Sequence, residues 1–164
     1  MRKFDRVLML TLLSISMIFS TFLVHAQAKN AIGIGPAING SKEGTGMGAV
    51  LQGEIRLAKS FALVPSIGVE IPYVGYTGLS GKYYLPNKTH VSLGGFLHVG
   101  GDDAGDSGFG GSAGFGIELL STQKHIIDLD IHGDVFQIDG DPAFVGGLRL
   151  TYNFSFSRQR MMSP

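Results

Sequence analysis

Residues 148–156 read Leu-Arg-Leu-Thr-Tyr-Asn-Phe-Ser-Phe, an unbroken alternation of apolar and polar side chains. Successive side chains of a strand point to opposite faces, so a period of two predicts a strand with one greasy and one polar face. Eight runs of this kind follow one another, over 30–38, 46–57, 61–71, 75–85, 89–99, 109–119, 125–136 and 143–156. Most are about ten residues or a little longer, the length that a tilted strand needs to cross a bilayer and more than soluble sheets usually use. The connections alternate in kind. "NGSKEGTG", "GGDDAGDSG" and "QIDGDP" are longer, "AKS", "PNK" and "STQK" are short, and "PYVG" is a short member of the long set. An even strand number with tight turns at one end and longer loops at the other predicts an all-β fold. Its expected form is an eight-stranded antiparallel up-and-down transmembrane β-barrel.

Alternation alone leaves open which face meets the oil, because a soluble lipocalin-like barrel simply inverts the two. The polar face decides. It carries Gly48, Gln52, Glu54 and Arg56 on the second run, Ser66, Gly68 and Glu70 on the third, and Gly78, Ser80 and Lys82 on the fourth. The fifth adds Ser92, Gly94 and His98, the sixth Ser112, Gly114, Gly116 and Glu118, and the seventh Asp128, Asp130, His132 and Asp134. Small residues with scattered charges suit the inside of a narrow tube better than a solvated outer wall. The opposite face holds Met47, Leu51, Ile55, Leu63, Ile67, Val91, Leu93, Leu97, Leu129 and Ile131, almost free of charge. Lipid outside and Arg149 inside is therefore the expectation.

Strand direction sorts the aromatics by height. Phe61, Tyr83, Phe154 and Phe156 fall near one rim, and Tyr73, Tyr76, Phe109, Phe136 and Phe144 near the other, as two interfacial girdles require. Phe96 is turned inward by its parity. Folding the last two runs about residues 139 and 140 sets Asp130 opposite Arg149. Folding the sixth onto the seventh about 122 sets Gly114 and Gly116 opposite Asp130 and Asp128. The expected lumen then holds Glu54, Glu70, Glu118, Asp128, Asp130 and Asp134 against Arg56, Lys82 and Arg149, with His98 and His132 able to take protons. So many ionisable groups predict an internal, hydrated network.

The N-terminus changes the picture of location. Arg2, Lys3 and Arg6 precede an apolar stretch from Val7 to Val24 and then "VHAQA", the layout of a secretory signal cleaved after Ala26 or Ala28. An uncleaved anchor is the competing reading. The expected organisation is a signal peptide over 1–28, a barrel domain over 29–156 and a C-terminal extension over 157–164. With 0 Cys there is neither a disulfide frame nor an acylated N-terminal cysteine. From Lys29 onward ten Lys and Arg face twelve Asp and Glu without a basic stripe, which excludes a nucleic-acid binder. All 25 glycines lie in this part, with no collagen-like period, and suggest bends and crowded backbones.

The whole pattern, with the alternating aromatics of "YNFSF" at Tyr152, Phe154 and Phe156, resembles the small eight-stranded outer-membrane β-barrel proteins of bacteria. The resemblance implies an exported outer-membrane location, a lipid-facing wall, a lumen without a large pore, and recognition of the last strand by the barrel-assembly machinery. "SRQRMMSP" after Phe156 departs from the family's terminal Phe. The role implied is non-enzymatic, in envelope integrity or contact with a surface partner that the sequence leaves unnamed.

Two segments invite chemistry. "THVS", holding His90 and Ser92, is similar to the His-x-Ser arrangement of lipid A deacylases, and folding the fifth run onto the sixth brings Glu118 toward His90 as the third group. Leu93 stands where that family has Asn, and the parity turns His90 and Ser92 away from lipid, so lumen residues are the simpler reading. Asp102, Asp103, Asp106, Asp139 and Asp141 offer oxygens for a calcium ion, but their spacing matches no EF-hand loop and solvated turns explain them. "GIGPAING" lacks the context of a phosphate cradle. No cofactor and no bound metal is expected.

Overall fold

The computed structural model describes residues 30–42, 44–71, 74–99, 107–138 and 141–156. The signal segment 1–28, Tyr73, Asp102, Asp103, Asp106, Asp139 and the extension 157–164 lie outside the described residues. Eight strands follow in chain order: β1 (Asn30–Ser41), β2 (Gly44–Ala58), β3 (Phe61–Ile71), β4 (Val74–Tyr84), β5 (Thr89–Val99), β6 (Gly108–Ser121), β7 (His125–Ile138) and β8 (Asp141–Phe156). Each pairs antiparallel with the next, and β1 pairs with β8 to close the barrel.

The side chains alternate as the sequence predicts. Ile34, Met47, Ile67, Leu93, Val99, Phe109 and Ile131 point outward and stay exposed, Leu93 at 73%. Inside, Glu54, Glu70, Lys82, His90, His98, Asp128 and Asp134 are buried. Polar residues fill the core and apolar ones cover the wall, the inverse of a soluble barrel, so the lipocalin-like alternative is excluded.

The strands overrun their predicted ends mostly at the side of the longer connections, with β6 also running on to Ser121 at the other. The ladder between β1 and β2 continues through Gly40↔Thr45 and Ser41↔Gly44, and that between β7 and β8 through Ile138↔Asp141. "NGSKEGTG" and "QIDGDP" are therefore mostly strand, not long loops. The hydrophobic alternation stops where apolar surroundings are no longer required, whereas backbone pairing carries on. At the opposite end the turns are tight. Residues Asn87 and Lys88 take φ of 67° and 62°, a left-handed pair that turns the chain sharply within the three residues between Leu85 and Thr89, whose backbones share a hydrogen bond.

Aromatic heights alone misplace two rings. Phe61, Tyr83, Phe154 and Phe156 line one rim outside, and Phe109 and Phe144 the other. Tyr76 and Phe136 turn inward instead, because they share parity with Gly78 and Asp134, and they meet Phe96 edge-on at centroid distances of 5.9 Å each. The ring of Phe96 lies where a Cβ on Gly110 would stand, which is one reason for glycine at that position.

Prolines mark where ladders lapse. Pro36 keeps register with Ala49 on β2 but has no partner on β8, and Pro65 keeps register with Leu79 on β4 but has none on β2. Each lacks an N–H, and each loses the pair on one side only.

Replacing Leu93 with Arg puts a charge on the outer wall near the middle of β5 and is expected to lower the folding free energy by about 2–4 kcal/mol. Urea titration in lipid vesicles reads this, and an unchanged midpoint would place Leu93 outside hydrocarbon.

Candidate functional site: a charged lumen

The lumen is built by residues that meet across the tube rather than along neighbouring strands. In its lower half, toward the tight turns, Arg56 Nε donates to Glu54 at 2.8 Å and its Nη2 faces Glu118 at 3.6 Å. The Arg56 guanidinium lies 3.7 Å from the centroid of Tyr84, a cation–π contact. Lys82 Nζ donates to Asp128 at 3.2 Å and approaches Glu54 at 3.9 Å. Asn153 donates to the same Asp128 oxygen at 3.3 Å and accepts from Gln52 at 3.0 Å. One connected network thus runs from Glu118 through Arg56, Glu54, Lys82 and Asp128 to Gln52.

Above it His90 Nε2 and Asp130 share a hydrogen bond of 2.6 Å. Gly116 makes the room, since a Cβ there would overlap both partners. Higher still, Arg149 donates to the Tyr76 hydroxyl at 3.0 Å. Glu70, His132 and Asp134 gather at the same end, with His132 Nε2 at 3.9 Å from Glu70 and 3.6 Å from Asp134. His98 lies against Phe136, 5.0 Å between centroids. A cavity of about 50 Å³ separates these groups from mid-barrel; Ser66, Ser80, Asp130 and Arg149 are among its walls. At that size it has space for a few water molecules.

Every residue predicted for the lumen faces it, but several partners differ from those read off the sequence. Asp130 stands opposite Arg149 on the ladder between β7 and β8. Yet the arginine reaches across to Tyr76, and Asp130 holds His90. Gly114 and Gly116 pair with His132 and Asp130, two residues from the predicted register, because the turn is centred between Gln123 and Lys124 instead of on Thr122, and the bulge between Glu118 and Leu120 takes back only one residue of that difference. Glu118 belongs to Arg56 and not to His90, which stands opposite Gly116 on the ladder between β5 and β6. Asp141 is exposed at the start of β8, and it is the one predicted calcium candidate among the described residues.

The His-x-Ser pair has the geometry of a lumen lining. His90 is fully buried, Ser92 points inward beside Gly114, and between them the outward residue is Val91. The carboxylate on His90 is Asp130, and no hydrogen bond joins His90 to Ser92 among the described residues.

No family model and no curated protein matches the chain. Solved structures do. Neisserial surface protein A superimposes with a TM-score of 0.56 at 13% identity, covering 78% of this chain and 96% of that one. Ail, the attachment invasion locus protein of Yersinia pestis, gives 0.52 at 13%, covering 78% and 98%. A de novo designed transmembrane β-barrel gives 0.50 at 8%, covering 76% and 94%. The chain has the fold of the small outer-membrane β-barrels. At these identities the likeness concerns backbone architecture and not the lumen residues, which are this chain's own.

Lys82 is the cation on which two carboxylates depend, and its side chain is only 5% exposed. Lys82→Met leaves Asp128 and Glu54 without it and is expected to cost about 3–5 kcal/mol, the usual result of breaking a buried pair. The urea midpoint of the folded barrel checks this, and no loss would mean that water screens the pair.

Proposed function

We propose that the protein is a non-enzymatic barrel of the bacterial outer membrane, exported on a cleavable signal, whose closed lumen is scaffolding and whose outward end serves envelope integrity or contact at the cell surface. The observation that carries this reading is the uninterrupted apolar wall around an interior filled by its own side chains. Among the described residues, Phe96, Phe136, His98 and Tyr76 pack the interior at one end and salt bridges cross it at the other, which leaves no room there for a wide pore. Its outer-membrane lipid contacts follow from the wall, and Tyr152, Phe154 and Phe156 on β8 are the feature offered to the assembly machinery.

The named roles of the structural neighbours, a surface protein and an attachment invasion locus protein, are compatible with a surface function for this chain. Against an enzymatic role stand the burial of His90 and its bond to Asp130 in the lumen, where a membrane lipid has no access to it.

The expected behaviour is recovery in the outer-membrane fraction, with gel migration that changes on boiling as folded barrels do. Lipid A mass should be the same with and without expression. Recovery in the soluble fraction would overturn the location, and a lipid A mass change lost in a Ser92→Ala variant would overturn the non-enzymatic role.

A further inference from the structure

The two buried histidine–carboxylate clusters of the lumen differ in one respect. In the cluster of His90, Asp128 and Asp130 the charges are spoken for: His90 is bonded to Asp130 at 2.6 Å and Asp128 to Lys82 at 3.2 Å. In the cluster of Glu70, His132 and Asp134, among the described residues, no Lys or Arg lies within 4 Å of either carboxylate. His132 is 6% exposed, yet neither of its ring nitrogens has a hydrogen-bond partner, and the same holds for Glu70 Oε1 and Asp134 Oδ1. Arg149, the cation at this height, spends its Nη2 on Tyr76 and makes no ion pair among the described residues. Buried polar groups normally find partners, and the orphaned His132 Nε2 and Glu70 Oε1 face each other at 3.9 Å beside the Asp134 carboxylate, a grouping that asks for a shared one.

The spacing says what that partner is. His132 Nε2 stands 3.6 Å from an Asp134 oxygen and 3.9 Å from Glu70 Oε1, and one ligand atom from each of the three residues lies within 4.8 Å of the others. These separations are too long for hydrogen bonds between the groups. Ligands bound at 2.0–2.2 Å around a tetrahedral ion sit roughly 3.3–3.6 Å apart, so His132 and Asp134 already have that spacing, His132 and Glu70 need a few tenths of an ångström of closure, and the two carboxylates, within 4.8 Å, need up to roughly 1.5 Å. One imidazole and two carboxylates form a mixed nitrogen and oxygen set that favours a transition metal over calcium, which takes six to eight oxygens. The same three side chains line the cavity, which leaves space for water at a fourth position.

We propose that Glu70, His132 and Asp134 bind one divalent first-row transition-metal ion, of which zinc is the test case, inside the upper lumen. The ion ties β3 to β7 across the tube, replacing with coordination the salt bridges that serve the lower half. His132 and Asp134 are two apart on one strand and so share its inner face, and Glu70 faces them from the other side of the barrel.

The test uses the full-length barrel extracted in detergent, stripped with a chelator, then unfolded and refolded with and without zinc so that entry into the closed lumen is not limiting. The expected result is one zinc per folded barrel by mass spectrometry of metals and a raised unfolding midpoint. Near-isosteric Glu70→Gln and Asp134→Asn, together with His132→Ala, should weaken zinc at least ~10-fold, the loss that even outer-shell changes can bring. His90→Ala should keep it. Gel migration before and after boiling reports which variants fold, and the two isosteric ones carry the comparison if His132→Ala does not. Absence of bound zinc in the wild type overturns the proposal. So does binding unaffected by Glu70→Gln and Asp134→Asn, which would put the ion on exposed acids, and so does loss in His90→Ala alone, which would put it in the lower cluster.

Discussion

Backbone hydrogen bonding in surroundings without water is the constraint on which the rest of the structure depends. A sheet with an open edge would leave a row of N–H and C=O groups unpaired, and in hydrocarbon each costs several kcal/mol, so strands can be placed there only in a closed cylinder. The pairing of β1 with β8, from Asn30↔Phe156 to Gly40↔Gly146, provides that closure. The two prolines within the wall test its tolerance. Pro36 and Pro65 each give up contact with one neighbouring strand, while the other neighbour holds register through them.

Closure inverts the usual division of a protein into greasy core and wet surface. Once lipid takes the outside, the inside receives what lipid refuses, and an eight-stranded tube is too narrow to hydrate it freely. The charges must then satisfy one another. Arg56 reaches from β2 to Glu118 on β6, and Arg149 from β8 to Tyr76 on β4, each spanning the full diameter. Such contacts brace the cylinder from within. Glycines opposite bulky groups, Gly116 beneath His90 and Gly110 beneath Phe96, let these side chains lie across the lumen without distorting the wall.

Strand number and the identity of each face were legible in the sequence because they are local properties. Alternation is a property of a single run, and Leu148, Leu150 and Tyr152 announce their side without reference to any other strand. The register of β7 on β8 was legible, as for Asp130 and Arg149, whereas that of β6 on β7 was missed because nothing in "STQK" shows that the turn is centred between Gln123 and Lys124, and the bulge at Glu118 and Leu120 recovers only one residue. Partners across the lumen were not legible at all. Glu70 and His132 are four strands apart, and neither turn length nor periodicity relates them. The same gap explains Tyr76 and Phe136: height along the barrel can be counted from a turn, but a place in an aromatic cluster depends on what the opposite wall sends inward.

The central claim is that the apolar face touches hydrocarbon and the ionisable face is enclosed. Because the chain has 0 Cys, single cysteines can be introduced along β7 from residue 128 to 135 without removing any native thiol. Each would carry a nitroxide label in a lipid-embedded barrel, and collision with oxygen dissolved in the bilayer would be measured. High accessibility at 129, 131, 133 and 135 with protection at 128, 130, 132 and 134 is the expected result. Equal accessibility along the strand, or the opposite alternation, would contradict a lipid-coated tube with a charged interior.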